Sequence, residues 1–162
     1  MSTAQLPPFQ AFIEEHRGPV LGFLRTMVGS NDAEDCFQET FVAALRAYPN
    51  AEGKNMRAWV MTIARNKAID HHRARARRPH PVPDPDTFAG TAQLDGLGEM
   101  WTQAAELSEN QRAALALRFA ADMSYREIGA ALDCSEAAAR RRVHDGLEAL
   151  RRRLATTTKE DR

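Results

Sequence analysis

Apolar residues recur every three or four positions along most of the chain, a spacing that places them on one face of a helix. In the first part, this pattern predicts a short helix over residues 9–16 that ends near Pro19. Because proline suits the first turn of a helix, a second helix is predicted over residues 19–28. Asn31 or Asp32 is then in position to cap the next helix.

Residues 33–48 have the clearest amphipathic pattern of the first half. Their apolar side consists of Phe37, Phe41, Ala44, Leu45 and Tyr48. Their opposite side carries acidic and other polar residues around one valine, namely Asp35, Gln38, Glu39, Val42 and Arg46. Such a face is either ordinary solvated surface or a docking surface for a basic or polar protein partner. The residue pattern alone leaves both interpretations open.

A long helix is predicted over residues 56–78, after a loop rich in helix-breaking residues. Trp59 and Ile63 begin its buried stripe. Helical periodicity places Asn66 and Asp70 on the same stripe, where polar groups need hydrogen-bond partners if they are buried. The opposite face, which we expect to be open to a nucleic-acid backbone, carries Met61, Arg65, His72 and Arg75.

Residues 123–150 predict two helices joined by a short turn. Ser124 can cap the first helix, a three-residue break follows, and Ser135 can cap a second helix that starts at Glu136. This arrangement is a helix-turn-helix, whose second helix reads the major groove of DNA. Ser108 can likewise cap a helix that leads into this unit.

The second helix of this unit has two distinct faces. Its inner stripe predicts core packing and consists of Ala139, Val143, Leu147, Leu150 and Leu154. Only the first part of a recognition helix lies deep in the groove, so the candidate base contacts are Glu136, Ala137, Arg140, Arg141 and His144. Arginine can bind guanine through two hydrogen bonds, but which arginine reads a base and which neutralises a phosphate stays open. The arginines at 151–153 favour a basic helix end that complements the macrodipole, and Glu148 can pair with Arg152.

Composition narrows the function classes. At 162 residues the chain predicts one or two small domains, and its 43% hydrophobic and 27% charged residues indicate a globular rather than a disordered protein. No signal-peptide pattern and no membrane-length apolar run are visible, so we expect a cytoplasmic location. Neither the pair Cys36 and Cys134 nor the adjacent His71 and His72 has metal-ligand spacing. Without a Gly-rich phosphate loop or a nucleophile motif, the sequence predicts no enzyme, no metal or other cofactor, and no small-molecule substrate.

The distribution of charge is more informative than its total of zero. Residues 65–78 carry a net charge of +5 and residues 140–153 carry +4, with histidine neutral. Between them, residues 79–110 contain six acids and no lysine or arginine. Two basic blocks separated by an acidic stretch indicate two nucleic-acid contacts with a differently used connector. Four prolines among the first seven residues of this stretch favour an extended linker.

Two blocks of the chain resemble a known family. DAEDCFQETFVAALRAYPN followed by RAWVMTIARNKAIDHHRARARR resembles region two of the bacterial RNA polymerase sigma factors, and LSENQRAALALRF with SYREIGAALDCSEAAARRRV resembles region four. The likeness is to the extracytoplasmic-function (ECF) group of the sigma-70 family. In the first block it is carried by residues 33–35 and 38–41, Trp59, Ile63, Ala64, Asn66, Asp70 and Arg73. Two such blocks in the right order are far more specific than a helix-turn-helix alone.

The resemblance implies an all-α protein of two small helical domains. Region 2, a helical bundle, would span residues 1–78, a Pro-rich acidic linker residues 79–98, and region 4 residues 99–162. An ECF-type sigma factor binds core RNA polymerase and directs promoter-specific transcription initiation through −10 and −35 elements. The resemblance implies that region 4 meets the flap region of the polymerase. It assigns docking on the coiled coil of the largest polymerase subunit to Asp35, Gln38 and Glu39.

The resemblance also implies two DNA-reading sites. Recognition and melting of the −10 element would use Lys54, Asn55, Arg65, Lys67, His72 and Arg75. Melting of this kind depends on captured flipped bases and on basic side chains that track a single strand. The −35 element would be read by the candidates at the start of the recognition helix. Two residues depart from the family: Asp133 stands where glycine is common, and Asp145 would repel a nearby phosphate.

The partners implied are therefore core RNA polymerase, promoter DNA and an anti-sigma factor. Asp84 and Asp86 in the linker would either lie along the RNA path or belong to a plain spacer. The alternative function is a one-component helix-turn-helix regulator, or a sigma-like adaptor that does not initiate transcription. A regulator of that kind leaves the acidic face of residues 33–48 unexplained.

Overall fold

The computed structural model describes residues 6–51, 55–77, 104 and 106–160. Lys54 and the predicted linker with Asp84 and Asp86 lie outside these residues. The described part of the chain is helical and contains no strand, which confirms the predicted fold class. Its helices are α1 (Phe9–Val28), α2 (Ser30–Ala47), α3 (Met56–Ala76), α4 (Glu109–Leu115), α5 (Tyr125–Leu132) and α6 (Glu136–Glu160). A 3₁₀ turn, Tyr48–Asn50, follows α2, and a π-helical turn, Ala116–Ala120, follows α4.

Helix α1 is continuous, so the prediction of two helices separated near Pro19 is wrong. Pro19 lies inside the helix, where a proline removes a hydrogen bond and costs about 3 kcal/mol. The helix continues because one buried stripe runs through both halves, from Phe12 and His16 to Phe23 and Met27. Full burial of a large apolar side chain contributes about 1.5–3 kcal/mol, so a few of them offset the proline.

Helix α2 begins at Ser30, and its N-cap is Gly29 with φ 84° and no side-chain cap. The prediction that Asn31 or Asp32 caps this helix is therefore wrong. Asp32 lies in the first turn and faces α3 instead. On the apolar side Phe41 and Ala44 are buried as predicted, but Leu45 is 54% exposed.

The predicted buried stripe of α3 is only partly confirmed, because Trp59 and Ile63 pack half-buried against the core. Val60, Ala64 and Ala68 are fully buried, whereas Asn66 and Asp70 are exposed. The helix packs against α1, α2 and α5, so it is covered on more sides than an amphipathic pattern foresees. The small alanine side chains leave room for neighbouring backbones to approach.

The helix-turn-helix is confirmed in detail. Ser124 and Glu127 form a capping box at the start of α5, and the Ser135 hydroxyl accepts a hydrogen bond from the Ala138 amide at 3.0 Å. Asp133 ends α5 in the left-handed conformation, with φ 53°. The Ser108 hydroxyl accepts from the Gln111 amide, so the predicted cap of α4 is also present.

The inner stripe of α6 packs as predicted, with Ala139, Val143 and Leu150 buried. Glu148 pairs with Arg151 at 3.2 Å, so the predicted pair with Arg152 is wrong. Spacings of three and four both bring side chains together on a helix, and sequence does not choose between them. Helix α6 continues to Glu160, so the prediction that the arginines at 151–153 form a basic helix end is wrong. Arg153 binds Glu106 instead.

Candidate protein-docking and nucleic-acid interfaces

The acidic face of α2 is open to solvent. Asp35, Gln38 and Glu39 are exposed, and Val42 beside them is 49% exposed. Asp35 and Glu39 line a cavity of about 530 Å³ that extends towards His71 on α3. The surface combines carboxylates with an accessible apolar side chain, which suits a protein partner that brings basic and apolar groups.

Asp32 joins α2 to α3 at the edge of this surface. Its Oδ2 lies 3.1 Å from Nε2 of His71 and 3.5 Å from Nη1 of Arg75. Arg75 was predicted to face a nucleic-acid backbone, but it is half-buried in this contact. Arg75 therefore already forms an ion pair with Asp32 inside the helical bundle.

Cys36 is buried beneath the acidic face. Burial raises the pKa of its thiol to about 11, and Glu39, Asp32 and Asp35 contribute in the same direction. Because the thiolate is the reactive form, this residue stays an unreactive thiol at neutral pH. Its role is packing, as the spacing predicted.

The face of α3 that was expected to be open is engaged by other parts of the chain. Met61 is fully buried, and Arg65 and His72 contact the C-terminal half. Nη2 of Arg65 lies 3.4 Å from Oδ1 of Asn110, and Nε2 of His72 lies 3.1 Å from Nη2 of Arg112. Periodicity predicts that α3 has distinct faces, but the pattern of a single helix does not show which elements cover them.

The candidate −10 residues are consequently dispersed. Lys67 lines a cavity together with Asp35 and Glu39, on the side of the acidic face. Asn55 is exposed at the start of α3, in the left-handed conformation with φ 50°. The structure does not bring Asn55, Arg65, Lys67, His72 and Arg75 together on one surface.

A second cavity of about 530 Å³ lies between α1, the start of α3 and α5. His16 lines it and is 4% exposed, and its Nδ1 has no hydrogen-bond partner. Burial lowers the pKa of His16, Glu15 raises it and Arg57 lowers it, so the imidazole is neutral at pH 7. A polar ring at helical spacing from Phe12 was the only signal of this site.

The candidate −35 face is formed as predicted. All of its members are exposed on the first half of α6: Glu136, Ala137, Arg140, Arg141 and His144. Asp145, the residue that departs from the family, is also exposed. The N-terminal half of α6 thus presents two arginines and one histidine, Arg140, Arg141 and His144, to solvent.

Tyr125 supports this face and was not predicted to do so. The guanidinium of Arg140 lies 5.0 Å from the centroid of its ring, and that of Arg118 lies 4.6 Å from it. Arg118 is held in turn by a 2.9 Å hydrogen bond to the carbonyl of Met123. Glu136 pairs with Arg140 at 3.6 Å. Arg140 is thus oriented from two sides before any DNA binds.

Over residues 6–51, 55–77, 104 and 106–160, no helix has the length and apolar character needed to cross a membrane. Within the same residues, no three histidine, cysteine or acidic side chains are grouped as metal ligands would be.

Comparison with known proteins agrees with this architecture. Residues 12–78 match Sigma-70 region 2, and residues 97–150 match Sigma-70, region 4. "ECF RNA polymerase sigma factor SigC" of Mycobacterium tuberculosis is 31% identical over 150 residues, which cover 87% of this chain and 80% of that protein. "RNA polymerase sigma factor CarQ" of Myxococcus xanthus is 33% identical over 154 residues, covering 90% and 88%.

Two solved structures share the arrangement of helices. CnrH, in a structure with the cytosolic domain of CnrY, superposes with a TM-score of 0.72 at 25% identity, over 91% of this chain and 88% of CnrH. RpoE of Bartonella quintana, in a structure with the anti-sigma factor NepR, also gives 0.72, at 23% identity over 91% and 96%, and this likeness shows the fold.

Two helical units in this order, one with an exposed acidic face and one with a helix-turn-helix, match a bacterial transcription-initiation factor of the sigma-70 type. The chain belongs to the extracytoplasmic-function group of the sigma-70 family.

Proposed function

We propose that this chain binds core RNA polymerase and directs it to promoters that it recognises through their −10 and −35 elements. One observation carries the proposal. The half that matches region 2 exposes an acidic face on α2, and the half that matches region 4 exposes an arginine-rich recognition helix. A one-component regulator with the same helix-turn-helix needs only the second of these surfaces.

The two family matches assign the proposed binding roles to the two halves of the chain. Region 2 is assigned to residues 1–78, the linker to 79–98 and region 4 to 99–162, and the matches at 12–78 and 97–150 support these bounds. In region 2, Asp35, Gln38 and Glu39 dock on the coiled coil of the largest polymerase subunit. Their exposure and negative charge fit a basic partner surface. Region 4 provides the second polymerase contact, at the flap region.

For the −10 element, Lys54 and Asn55 act on bases at the start of α3, and basic residues along α3 bind the backbone. The exposure of Asn55 supports its part. Arg65 and His72 serve only after α4 has moved away, because their side chains contact Asn110 and Arg112 of that helix. Lys67 and Arg75 lie nearer the acidic face of α2, so they are the weaker candidates for contacts with DNA.

For the −35 element, the recognition residues are Glu136, Ala137, Arg140, Arg141 and His144. A good bidentate contact between an arginine and guanine discriminates by about 1–3 kcal/mol. Arg140 is the more rigidly held of the two central arginines, because it contacts both Tyr125 and Glu136. It is therefore the stronger candidate for a base reader, and Arg141 for a groove or phosphate contact.

The chain acts by binding, in the cytoplasm where promoters are, and performs no chemistry of its own. An anti-sigma factor completes the set of partners. CnrH and RpoE, which share this fold, were each solved with a protein partner, CnrY and the anti-sigma factor NepR respectively. The covered arrangement of α3 in this chain is the form that such a partner would hold.

Reconstituted run-off transcription with purified core polymerase tests the proposal. The templates are promoters selected by sequencing the DNA that the reconstituted holoenzyme retains. We expect transcripts that start at fixed positions and depend on this chain. Failure to bind core polymerase would remove the proposal, and binding without transcription would identify an adaptor.

A further inference from the structure

We propose that the cavity between α1, the start of α3 and α5 binds a free aromatic amino acid whose ring carries a hydroxyl group, with tyrosine as the best match. The inference does not depend on the proposed function, because it involves neither core polymerase nor promoter DNA. It rests on the apolar wall of the cavity, on a buried imidazole without hydrogen bonds, and on two opposite charges in the lining.

The cavity has the size and the apolar wall of a small-molecule site. Its volume of about 530 Å³ is within the range of about 300–1,000 Å³ that such sites occupy. Phe12, Met56 and Pro7 form the apolar part of the lining, and Phe12 is 1% exposed. The ring of Phe12 packs against Tyr48 and Trp59, whose ring centroids lie 5.2 and 5.8 Å away. A wall made from a ring that its neighbours hold in place suits a second flat ring.

His16 provides a polar group within this wall. It is 4% exposed, and its ring centroid lies 4.7 Å from that of Phe12. Neither ring nitrogen forms a hydrogen bond with the residues that the structure describes. Nδ1 is buried without a partner, and Nε2 lies 3.8 Å from Oε2 of Glu15, which is beyond hydrogen-bond distance. Because buried polar groups are nearly always paired, an imidazole of this kind on a cavity wall indicates a ligand that pairs with it.

A phenolic hydroxyl fits this imidazole. Burial lowers the pKa of His16, so the ring is neutral at pH 7 and has one donor nitrogen and one acceptor nitrogen. A hydroxyl both donates and accepts, so it can pair with Nε2 in either tautomer. A ligand ring without a polar atom would leave the imidazole unpaired. Sites built around such a pair discriminate strongly against the analogue that lacks the hydroxyl.

The charged residues of the lining match the two charges of a free amino acid. Arg57 is half-buried and forms no hydrogen bond or ion pair with other residues that the structure describes, so it can bind a carboxylate. Glu15 is exposed and can bind an ammonium group. Glu127 also lines the cavity, but its carboxylate accepts the amide of Ser124 at 2.9 Å in the capping box. One available cation and one available anion favour a zwitterion over a ligand with a single charge.

Isothermal titration calorimetry of the full chain tests the ligand. The probes are L-tyrosine, L-phenylalanine, which lacks only the hydroxyl, and N-acetyl-L-tyrosinamide, which keeps the ring and the hydroxyl but has neither charge. The last probe also represents a tyrosine within a protein partner. We expect saturable binding of L-tyrosine, and binding at least about tenfold weaker for each of the other two.

Variants of the lining test the site. His16→Phe keeps a buried ring but removes both nitrogens, so L-phenylalanine should bind this variant at least as tightly as L-tyrosine does. Arg57→Gln and Glu15→Gln should each weaken L-tyrosine binding at least about fivefold. Arg73→Gln and Glu14→Gln are the matched controls, because they make the same charge changes on the same helices at exposed positions outside the cavity lining.

Four results would overturn the inference. The first is the absence of saturable L-tyrosine binding, and the second is equal affinity for L-tyrosine and L-phenylalanine. The third is equal affinity for N-acetyl-L-tyrosinamide, which would assign the cavity to a side chain of a protein partner. The fourth is L-tyrosine binding that Arg57→Gln and Glu15→Gln weaken no more than their controls do. These two variants, which replace residues outside the buried core, decide the matter if His16→Phe does not fold.

Discussion

Nη2 of Arg112 on α4 lies 3.1 Å from Nε2 of His72 on α3, forty positions earlier in the chain. A guanidinium has no acceptor, so this ring nitrogen must accept the hydrogen bond and the imidazole must be neutral. The remaining proton is then on Nδ1, where it suits the hydrogen bond that His72 makes with the backbone of Met27. One neutral histidine thus connects α1, α3 and α4.

The first prediction concerns pH. Burial lowers the pKa of His72 below its ordinary 6.5, Arg112 and His71 lower it further, and the Met27 hydrogen bond and Glu109 oppose them. Well above pH 6.5 the imidazole is neutral in both the folded and the unfolded chain. As pH falls below 6.5 the unfolded chain takes up a proton that the folded chain resists, so stability falls until the folded pKa is reached.

His72→Gln tests this relationship, because the amide oxygen can still accept from Arg112 but does not titrate. We expect the urea midpoint of the wild type to decrease more than that of His72→Gln between pH 7.5 and 5.5. The lowered pKa of His16 gives both proteins a common residual decrease. Equal decreases in the two proteins would contradict the prediction.

The second prediction concerns docking on core polymerase. Asp35→Arg and Glu39→Arg should each weaken core binding more than tenfold, because they place a cation where the partner surface is expected to be basic. The thermal unfolding midpoint should not change, since both side chains are exposed. Glu14→Arg, an equal charge change at an exposed position of α1, is the control. Unaltered core affinity in both variants would show that this face is only solvated.

The third prediction concerns the reading of the −35 element. Arg140→Ala, at the candidate base reader, should lower affinity for the −35 duplex by about five- to 150-fold, which corresponds to about 1–3 kcal/mol. Arg141→Ala, at the candidate phosphate contact, should weaken binding uniformly across sequences and reduce the salt slope by about 1. Arg151→Ala, whose side chain pairs with Glu148, should have little effect. An unchanged footprint for Arg141→Ala would move the contact to another residue of α6.

The fourth prediction concerns Tyr125 as a positioning residue for Arg140. An exposed cation–π contact contributes about 0.5–1 kcal/mol, so Tyr125→Leu should weaken −35 binding about two- to fivefold. Tyr125→Phe keeps the ring and should restore wild-type affinity. The combination Tyr125→Leu/Arg140→Ala should bind no more weakly than Arg140→Ala alone. Additive losses would mean that the ring acts independently of this arginine.

The fifth prediction concerns two glycines in helices. A Cβ at Gly129 would lie 2.7 Å from the carbonyl oxygen of Cys134, so Gly129→Ala must displace the turn of the helix-turn-helix. We expect a loss of stability of about 1–3 kcal/mol together with weaker −35 binding. Gly18 has no atom within 4 Å of such a Cβ, and Gly18→Ala should add about 0.5–1 kcal/mol. Urea unfolding of the two variants measures both changes, and a shift of the same sign in the two would contradict the argument.

Much of the candidate site was predictable because it depends on local rules. The caps at Ser108, Ser124 and Ser135 lie where hydroxyl side chains can satisfy the first amides of a helix. The exposed arginines of α6 and the acids of α2 lie opposite apolar stripes on their own helices. Local pattern failed at Pro19, where a continuous buried stripe outweighs the lost hydrogen bond.

By itself, the sequence determined the helical class, the helix-turn-helix with its turn, the two faces of α2 and α6, and the likeness to two regions of sigma factors. These properties depend on neighbours within a few positions along the chain. Only the tertiary structure decided which side of α3 is covered, because that depends on helices forty or more positions away. In the folded protein Met61 is buried, and Arg65 and His72 form hydrogen bonds with Asn110 and Arg112. Tyr125 lies beside Arg140. Periodicity shows that a helix has two faces, but packing decides which elements cover them.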